Sequence, residues 1–336
     1  LPASSFGSAL MYFTGSKEHN VRLRERALSM KYTLNEWGLF PNDTNPLPPQ
    51  QRGIKPIASR TEEEVFAALG LPWIPPQVRE DRNEIAQDKP WDLLQLVDIK
   101  AELHAHTTAS DGMLTIEELA LEAKFRGFHT IAVTDHSQSS VIARGLKPDR
   151  LREHIAAIRE TDNRLEGITI LAGSEVDILS DGTLDYDDDL LAQLDVIVAS
   201  PHAALSQDPV TATKRLIKAI EHPMVHILGH PTGRLILRRP GLAPAMDEIY
   251  AAAKEHGVAL EINAHWMRLD LRDVHVRGAI ESGCLISINC DDHERGDFDN
   301  LIYGVLAAQR GWVRAKDCIN AWDKTKLHRW LAKSKR

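Results

Sequence analysis

From about residue 96 onward the chain repeats one unit, a short apolar β-branched run followed by a helix-forming stretch. Such runs fall at 98–103, 129–134, 168–173, 194–199, 224–229, 257–262 and 284–289. Each is of the continuous kind expected of a strand covered on both faces. Between them, helix starts are read at Thr115 with Glu118, Pro148-Asp149, Asp185, Pro209, Pro244 and Asp270. Gly127, Gly167, Gly257 and Gly283 stand before strands as helix stops. Strand–helix alternation imposes parallel strands joined by right-handed crossovers. Seven such units in roughly 240 residues overfill a two-layer sheet and suit a barrel. The fold class expected is therefore α/β: a distorted (β/α)7 barrel over 96–336, preceded by a small α/β piece.

That piece is read in two parts. In residues 1–45 the run Ala9-Leu10-Met11-Tyr12-Phe13-Thr14 is a strand candidate that stops at Gly15-Ser16, and 17–30 follow as a helix with a basic face (Lys17, Arg22, Arg24, Arg26). Residues 46–95 are read as a connector. The proline-rich stretch 41–49 leads into it, and Thr61 with Glu64 opens a short helix that ends at Gly70.

The ends of the barrel runs carry the chemistry. The first ends in His104-Ala105-His106 with Asp111 just beyond, and side chains two apart on a strand point the same way. The others end in Asp135-His136, Ser174-Glu175, Pro201-His202, Gly229-His230 and Asp291-Asp292-His293. Parallel barrel strands open all their C-terminal ends on one face. His104, His106, Asp111, His136, Glu175, His202, His230, Asp291 and His293 are thus expected to converge from six of the seven strands. A single one of these could be an ordinary hydrogen-bonded loop residue; six strand ends of the same type argue for a common purpose. Imidazole and carboxylate without thiolate suit zinc, manganese or iron, and nine ligands fit two or three ions. Ions about 3.5–4 Å apart clamp an in-line displacement at phosphorus, with water activated on the metal as the catalytic nucleophile. Arg144 and Arg234 are candidate phosphate contacts. The other histidines, such as His129, His222 and His256, lie before strands or on helices and are read as structural or surface groups.

Composition narrows the partners. Fifteen histidines in 336 residues is a high count, consistent with a metal site, and the net charge of −8 argues against a surface coated for non-specific nucleic-acid binding. A local positive groove remains compatible with it. No run approaches the roughly 18–20 apolar residues of a membrane span, and no signal peptide is visible. Cys284, Cys290 and Cys318 are odd in number and lack metal spacing, as expected of thiols in a reducing cytoplasm.

The nine-residue pattern resembles the polymerase-and-histidinol-phosphatase (PHP) family of metallophosphoesterases. It matches that family's ligand set position by position, with Asp111 where some relatives carry histidine. Tyr12-Phe13-Thr14-Gly15-Ser16 resembles the palm–thumb junction of family X DNA polymerases. Leu71-Pro72-Trp73-Ile74-Pro75-Pro76, Arg144-Gly145-Leu146, Leu151-Arg152-Glu153-His154-Ile155 and Gly229-His230-Pro231-Thr232-Gly233-Arg234 resemble the bacterial and archaeal members that carry a C-terminal PHP domain. The resemblance implies a palm/thumb remnant over 1–45, thumb end and linker over 46–95, and a PHP domain over 96–336. It places Tyr12, Phe13, Gly15, Asn20 and Arg24 at nucleotide and DNA contacts. It also implies two to three Mn2+ or Zn2+ ions, with Mg2+ serving a polymerase site whose palm aspartates lie upstream of this sequence, so no polymerisation is expected of the chain as given. The expected partners are DNA 3′ ends, gapped or single-stranded, and the upstream polymerase domains of the same protein. The implied activity is 3′–5′ exonuclease, with 3′-phosphate or abasic-site processing as related activities, in cytoplasmic DNA repair. Two alternatives stand beside it: a small-molecule phosphomonoesterase of the histidinol-phosphatase type, and a non-catalytic platform. Metal-dependent amidohydrolases also open with His-x-His, but they use a bridging lysine that no strand end here offers.

Overall fold

The computed structural model describes residues 1–333 and divides into two compact units, Leu1–Asp92 and a second that begins at Leu93. The first contains helices α1 (Phe6–Thr14) and α2 (Lys17–Ser29), an antiparallel hairpin of β1 (Tyr32–Asn35) and β2 (Gly38–Pro41), and α3 (Glu62–Ala68). The strand expected at 9–14 is part of α1. An apolar run of six residues satisfies either period, and the buried positions Gly7, Ser8 and Met11 are helically spaced. Gly7 is needed there, because a Cβ would lie 2.2 Å from the Thr61 carbonyl carbon. Ser16 caps α2 by accepting from His19 N, and Thr61 caps α3. Glu62 forms a buried two-pronged pair with Arg79 (2.7 and 2.8 Å) and also accepts from Trp73 Nε1. That pair anchors the Leu71–Pro76 segment, whose Ile74 carbonyl accepts from Arg79 Nε.

The second unit is the expected barrel. Strands β3 (Ala101–Ala105), β4 (Thr130–Val133), β5 (Thr169–Asp177), β6 (Val196–Ser200), β7 (Ile227–Leu228), β8 (Ala259–Asn263) and β9 (Ile286–Asn289) form one parallel sheet in chain order. The ring nearly closes: Ala105 bridges Asp292, and His106 N donates to Asp292 O at 2.8 Å. Helices α4 (Ile116–Phe125), α5 (Pro148–Arg164), α6 (Asp188–Leu191), α7 (Pro209–Ile220), α8 (Met246–His256), α9 (Asp273–Ser282), α10 (Leu301–Arg310) and α11 (Lys324–Lys333) complete it. Thr115 with Glu118 forms the expected capping box on α4. Three helix starts shift. Asp187 rather than Asp185 caps α6, and Asp185 binds Ser139 instead. Helix α8 begins at Met246, and α9 begins at Asp273 because Asp270 is occupied by Thr232 and Gly233. The first strand also starts later than expected, since Gln95 and Asp98 close a 3-10 turn over Leu96–Asp98.

Alternation sorts the strand residues into two cores. Ile131, Val133, Ile170, Ala172, Ile197, Ala199, Leu260, Ile262 and Ile288 face the helices. Ala101, Leu103, Ala132, Leu171, Val196, Val198, Ile227 and Ala259 face inward and meet Ile319, Trp322, Leu327 and Leu331. These last residues plug the N-terminal mouth, where Lys100 N bonds Asn320 O and Asn320 Nδ2 bonds Ala101 O. The opposite half of the interior is left for polar groups. Truncating the plug, Leu327→Ala, should cost about 2–5 kcal/mol, whereas the exposed-cap variant Thr115→Ala should cost about 1 kcal/mol. Urea denaturation followed by near-ultraviolet circular dichroism ranks them, and a plug variant no less stable than the cap variant would contradict this packing.

Candidate metal centre

Strand β3 presents His104 and His106 to the interior through a local irregularity. Its register against β4 shifts between Glu102 and Ala105. Leu103 faces the inner core and Ala105 the outer one, so the alternation changes phase between them. The buried Glu102 carboxylate stabilises this bend, since one oxygen accepts from both Leu103 N and His104 N at 3.0 Å and the other from Cys290 N at 3.1 Å. Burial pushes the Glu102 carboxyl up to about 8, against these bonds. Asp135, just past β4, collects Thr107 N, Thr107 Oγ1, Ser110 N and His154 Nε2, and so fixes the loop that carries Asp111.

Eight of the nine expected residues fall into three interlocking groups: His106, Asp111, His136 and His293; His104, His106, Glu175 and Asp291; and His136, Glu175 and His202. Within each group the potential ligand atoms lie within 4.8 Å of one another. His230 Nε2 completes the set, 2.8 Å from Glu175 Oε1. Glu175 sits within β5, which runs on to Asp177 rather than ending at residue 173, so its carboxylate stands at the centre of the bowl. His106 stacks between His136 and His293, with ring centroids 4.3 and 4.4 Å apart.

The hydrogen bonds divide each imidazole into an anchored side and a free side. His104 Nδ1 faces Glu261 Oε1 at 2.8 Å, and His202 Nδ1 faces Asp177 Oδ1. His293 Nδ1 faces the Asp291 carbonyl at 2.7 Å. Among the described residues, His104 Nε2, His106 Nδ1, His136 Nδ1, His202 Nε2, His230 Nδ1 and Glu175 Oε2 are buried with no hydrogen-bond partner. His136 Nδ1 and Glu175 Oε2 approach to 2.8 Å without hydrogen-bond alignment. Orphaned buried donors and acceptors are costly. Three of them, His104 Nε2, His136 Nδ1 and His202 Nε2, lie within 3.3 Å of a Glu175 carboxylate oxygen, and such a cluster is what metal ions would satisfy, so the residues fit the group.

The charges are strongly coupled. Burial opposes ionisation of Glu175, yet the facing His202, His104 and His136 hold it well below the usual carboxylate range. Asp291 is likewise low against its burial, through His104, His106 and His293. His136 is driven up to about 10 against its burial by Glu175 and Asp111, and His202 and His293 up to about 9 by their carboxylate neighbours. His106 is pushed down to about 4 by burial and by the neighbouring imidazoles.

Sequence reasoning passed over the supporting residues. Glu261 also accepts from His230 N (2.6 Å) and Asn289 Nδ2 (2.8 Å), and Asn263 Nδ2 donates to Asp291 Oδ2 at 2.9 Å. Both lie on β8, the strand without an expected ligand, but both share the inward parity of Ala259. Arg268 was also missed. Its Nε lies 3.5 Å from Asp291 Oδ2, and its Nη1 is buried without a partner. Arg234 spends Nε on the Arg268 carbonyl (2.8 Å) and Nη2 on the Leu269 carbonyl. Arg144 is exposed on the loop after β4. In the first unit, Tyr12 and Phe13 end α1, Phe13 being exposed, and Gly15 stops that helix at φ 72° with a cis peptide to Ser16. Asn20 Nδ2 bonds the Tyr12 carbonyl, and Arg24 is exposed on α2.

Comparison with known proteins agrees with both units. Residues 9–80 match the DNA polymerase beta thumb and residues 102–265 the PHP domain. The chain is 40% identical to the DNA polymerase/3′-5′ exonuclease PolX of Bacillus subtilis over 94% of its own length and 54% of that protein, so it spans about half of that relative. It is 30% identical to a probable phosphatase of Caldanaerobacter subterraneus subsp. tengcongensis over 60% of this chain and 80% of that protein. The structure of histidinol phosphate phosphatase from Lactococcus lactis, complexed with zinc, L-histidinol and phosphate, superposes with a TM-score of 0.46 at 15% identity, covering 63% of this chain and 93% of that one. No helix among the described residues is long and apolar enough to cross a membrane. With nine ligand-type side chains gathered at the C-terminal mouth of a seven-stranded parallel barrel, and a polymerase-type thumb ahead of it, the chain belongs to the PHP family, in the thumb-plus-PHP arrangement of family X DNA polymerases.

Proposed function

We propose that the barrel hydrolyses phosphodiesters at DNA 3′ ends, as a 3′–5′ exonuclease dependent on two or three divalent ions, manganese or zinc. The observation that carries this reading is the three interlocking ligand groups around Glu175, several of whose buried atoms have no hydrogen-bond partner. The thumb, and the similarity to a polymerase with an exonuclease name, supply the DNA. His104, His106, Asp111, His136, Glu175, His202, His230, Asp291 and His293 would hold the ions. When bound, such ions lower the pKa of water and neutralise phosphate oxygens. Glu261 and Asp177 hold the Nδ1 protons of His104 and His202, which leaves both Nε2 lone pairs for metal. Asn263 orients Asp291. Arg268 reaches the same carboxylate with a donor to spare and is the better placed phosphate contact, while Arg234 braces the backbone that carries it. Arg144, exposed on its loop, would meet the strand farther out.

Two measurements test this. Manganese-supplemented digestion of 5′-labelled single-stranded DNA should give a ladder of 3′-shortened products. Glu175→Ala should abolish it, and Asp177→Asn should slow it by about 10–100-fold. Turnover of p-nitrophenyl phosphate with the DNA left intact would favour the phosphomonoesterase reading instead.

The second measurement concerns protons. In the metal-free protein the raised values of His136, His202 and His293 keep those imidazoles protonated at neutral pH. Metal must displace those protons, so apparent affinity should fall as pH drops and rise toward about pH 9. Calorimetric titration with Mn2+ at pH 7, in buffers of different ionisation enthalpy, should report release of more than about one proton per chain. Metal binding with no proton release would contradict these charge states.

A further inference from the structure

Beside the metal centre, the loop after β8 carries an aromatic side chain that the hydrolytic chemistry does not use. Trp266 is 59% exposed, a large apolar surface left in water by the fold. Its ring stacks on His265, with centroids 5.8 Å apart and planes 23° from parallel. The loop is rigid where it joins the site. His265 N bonds Asn263 Oδ1 (3.1 Å), whose amide holds the ligand Asp291, and Arg268 returns to that same carboxylate two residues after Trp266. Asp270 and Arg234 lash the far end to residues 232–233 and 268–269.

Next to this aromatic step the surface is basic. Ile236 N bonds the Met267 carbonyl, which joins the 235–239 loop to the Trp266 loop. The 235–239 loop, which carries Arg238 and Arg239, lines a groove of about 700 Å³ together with Arg234 and Arg272. Arg239 is held below its ordinary value by burial and then by the neighbouring Arg268 charge, so two guanidinium groups share this edge. On a chain of net charge −8 such clustering is a local feature, and it complements a polyanion. An exposed flat aromatic with arginines alongside is the arrangement that binds single-stranded nucleic acid, with bases stacking on the ring and phosphates tracking the cations.

We propose that Trp266 is the stacking platform for the terminal nucleobase of the strand being shortened, with Arg238, Arg239 and Arg272 following the phosphates upstream of it. This assignment rests on the exonuclease reading and makes the substrate a strand end with an intact, unpaired base. It also sets the specificity: a 3′-terminal abasic residue, lacking the ring to stack, becomes the poorer substrate.

The test uses the full chain loaded with Mn2+ and two 5′-labelled single-stranded oligonucleotides, one with a normal 3′ nucleotide and one with a 3′-terminal abasic residue. Metal content equal to that of wild type verifies that each variant has an intact centre. Wild type should show a KM for the base-bearing strand about tenfold below that for the abasic strand, the size of one stacking contact. Trp266→Ala should bring the two KM values together by raising the first, with the change in KM rather than kcat, and Trp266→Phe should restore most of the difference. Wild-type protein that shortens neither oligonucleotide overturns the exonuclease reading and this assignment with it. Wild type that shortens both with equal KM, or Trp266→Ala that keeps the wild-type ratio, overturns the platform alone.

Discussion

Glu175 is wholly buried, and its carboxylate lies within 3.7 Å of ring nitrogens from His104, His106, His136, His202 and His230. Removing an isolated carboxylate from water is prohibitive, and it becomes tolerable only where opposite charge and ligation replace the lost hydration. The upper half of the barrel is built around that requirement. Imidazoles from the ends of β3, β4, β6 and β7 surround the Glu175 carboxylate that β5 supplies, and Asp111 and Asp291 balance the outer imidazoles. The same arrangement fixes what the site can do. A dense array of imidazole nitrogen and carboxylate oxygen atoms, buried and partly stacked, offers positions for adjacent cations more readily than for any organic ligand.

Strand alternation does most of the positioning. Ala259, Glu261 and Asn263 succeed one another on the inner face of β8, so one strand contributes first to the apolar floor and then to the ligand supports. Leu171, Gly173, Glu175 and Asp177 do the same on β5. The exception is β3, where Glu102 holds a change of phase that turns both histidines inward. Below the candidate ligands, the Asn320 side chain ties the start of β3 and the middle of β9 to the C-terminal plug. Hydrophobic packing at one mouth thereby supports the geometry at the other.

Much of this was legible before the structure. Seven apolar runs gave the barrel, and six of their ends gave the candidate ligand side chains that the fold gathers, because strand ends combine a strong periodic signal with a conspicuous change of chemistry. What stayed hidden lay where that contrast is missing. Glu261 and Asp177 are acids inside or at the end of strands, so they read as breaks in an apolar run rather than as parts of a site. Arg268 lies on the loop after β8, the strand to which no ligand was assigned, and offered no pattern to extend. In the first unit, six apolar residues ending in Tyr12-Phe13-Thr14 fit two periods equally well, and α1 is set by the close approach of Gly7 to Thr61, a tertiary contact. The hairpin of β1 and β2 had a local signal in Asn35-Glu36-Trp37-Gly38 that went unread beside the stronger helix before it.

Arg234 and Arg268 show how contact and support divide. Both looked equally cationic in the sequence, yet one guanidinium is consumed by backbone carbonyls and the other keeps a free donor beside Asp291. The claim beneath all of this is that the nine side chains form one shared cage for several ions. Anomalous diffraction from crystals grown with Mn2+ tests it most directly. Two or three peaks with Glu175 bridging neighbours are the expected result, while a single peak, or ions bound away from Glu175, would contradict it.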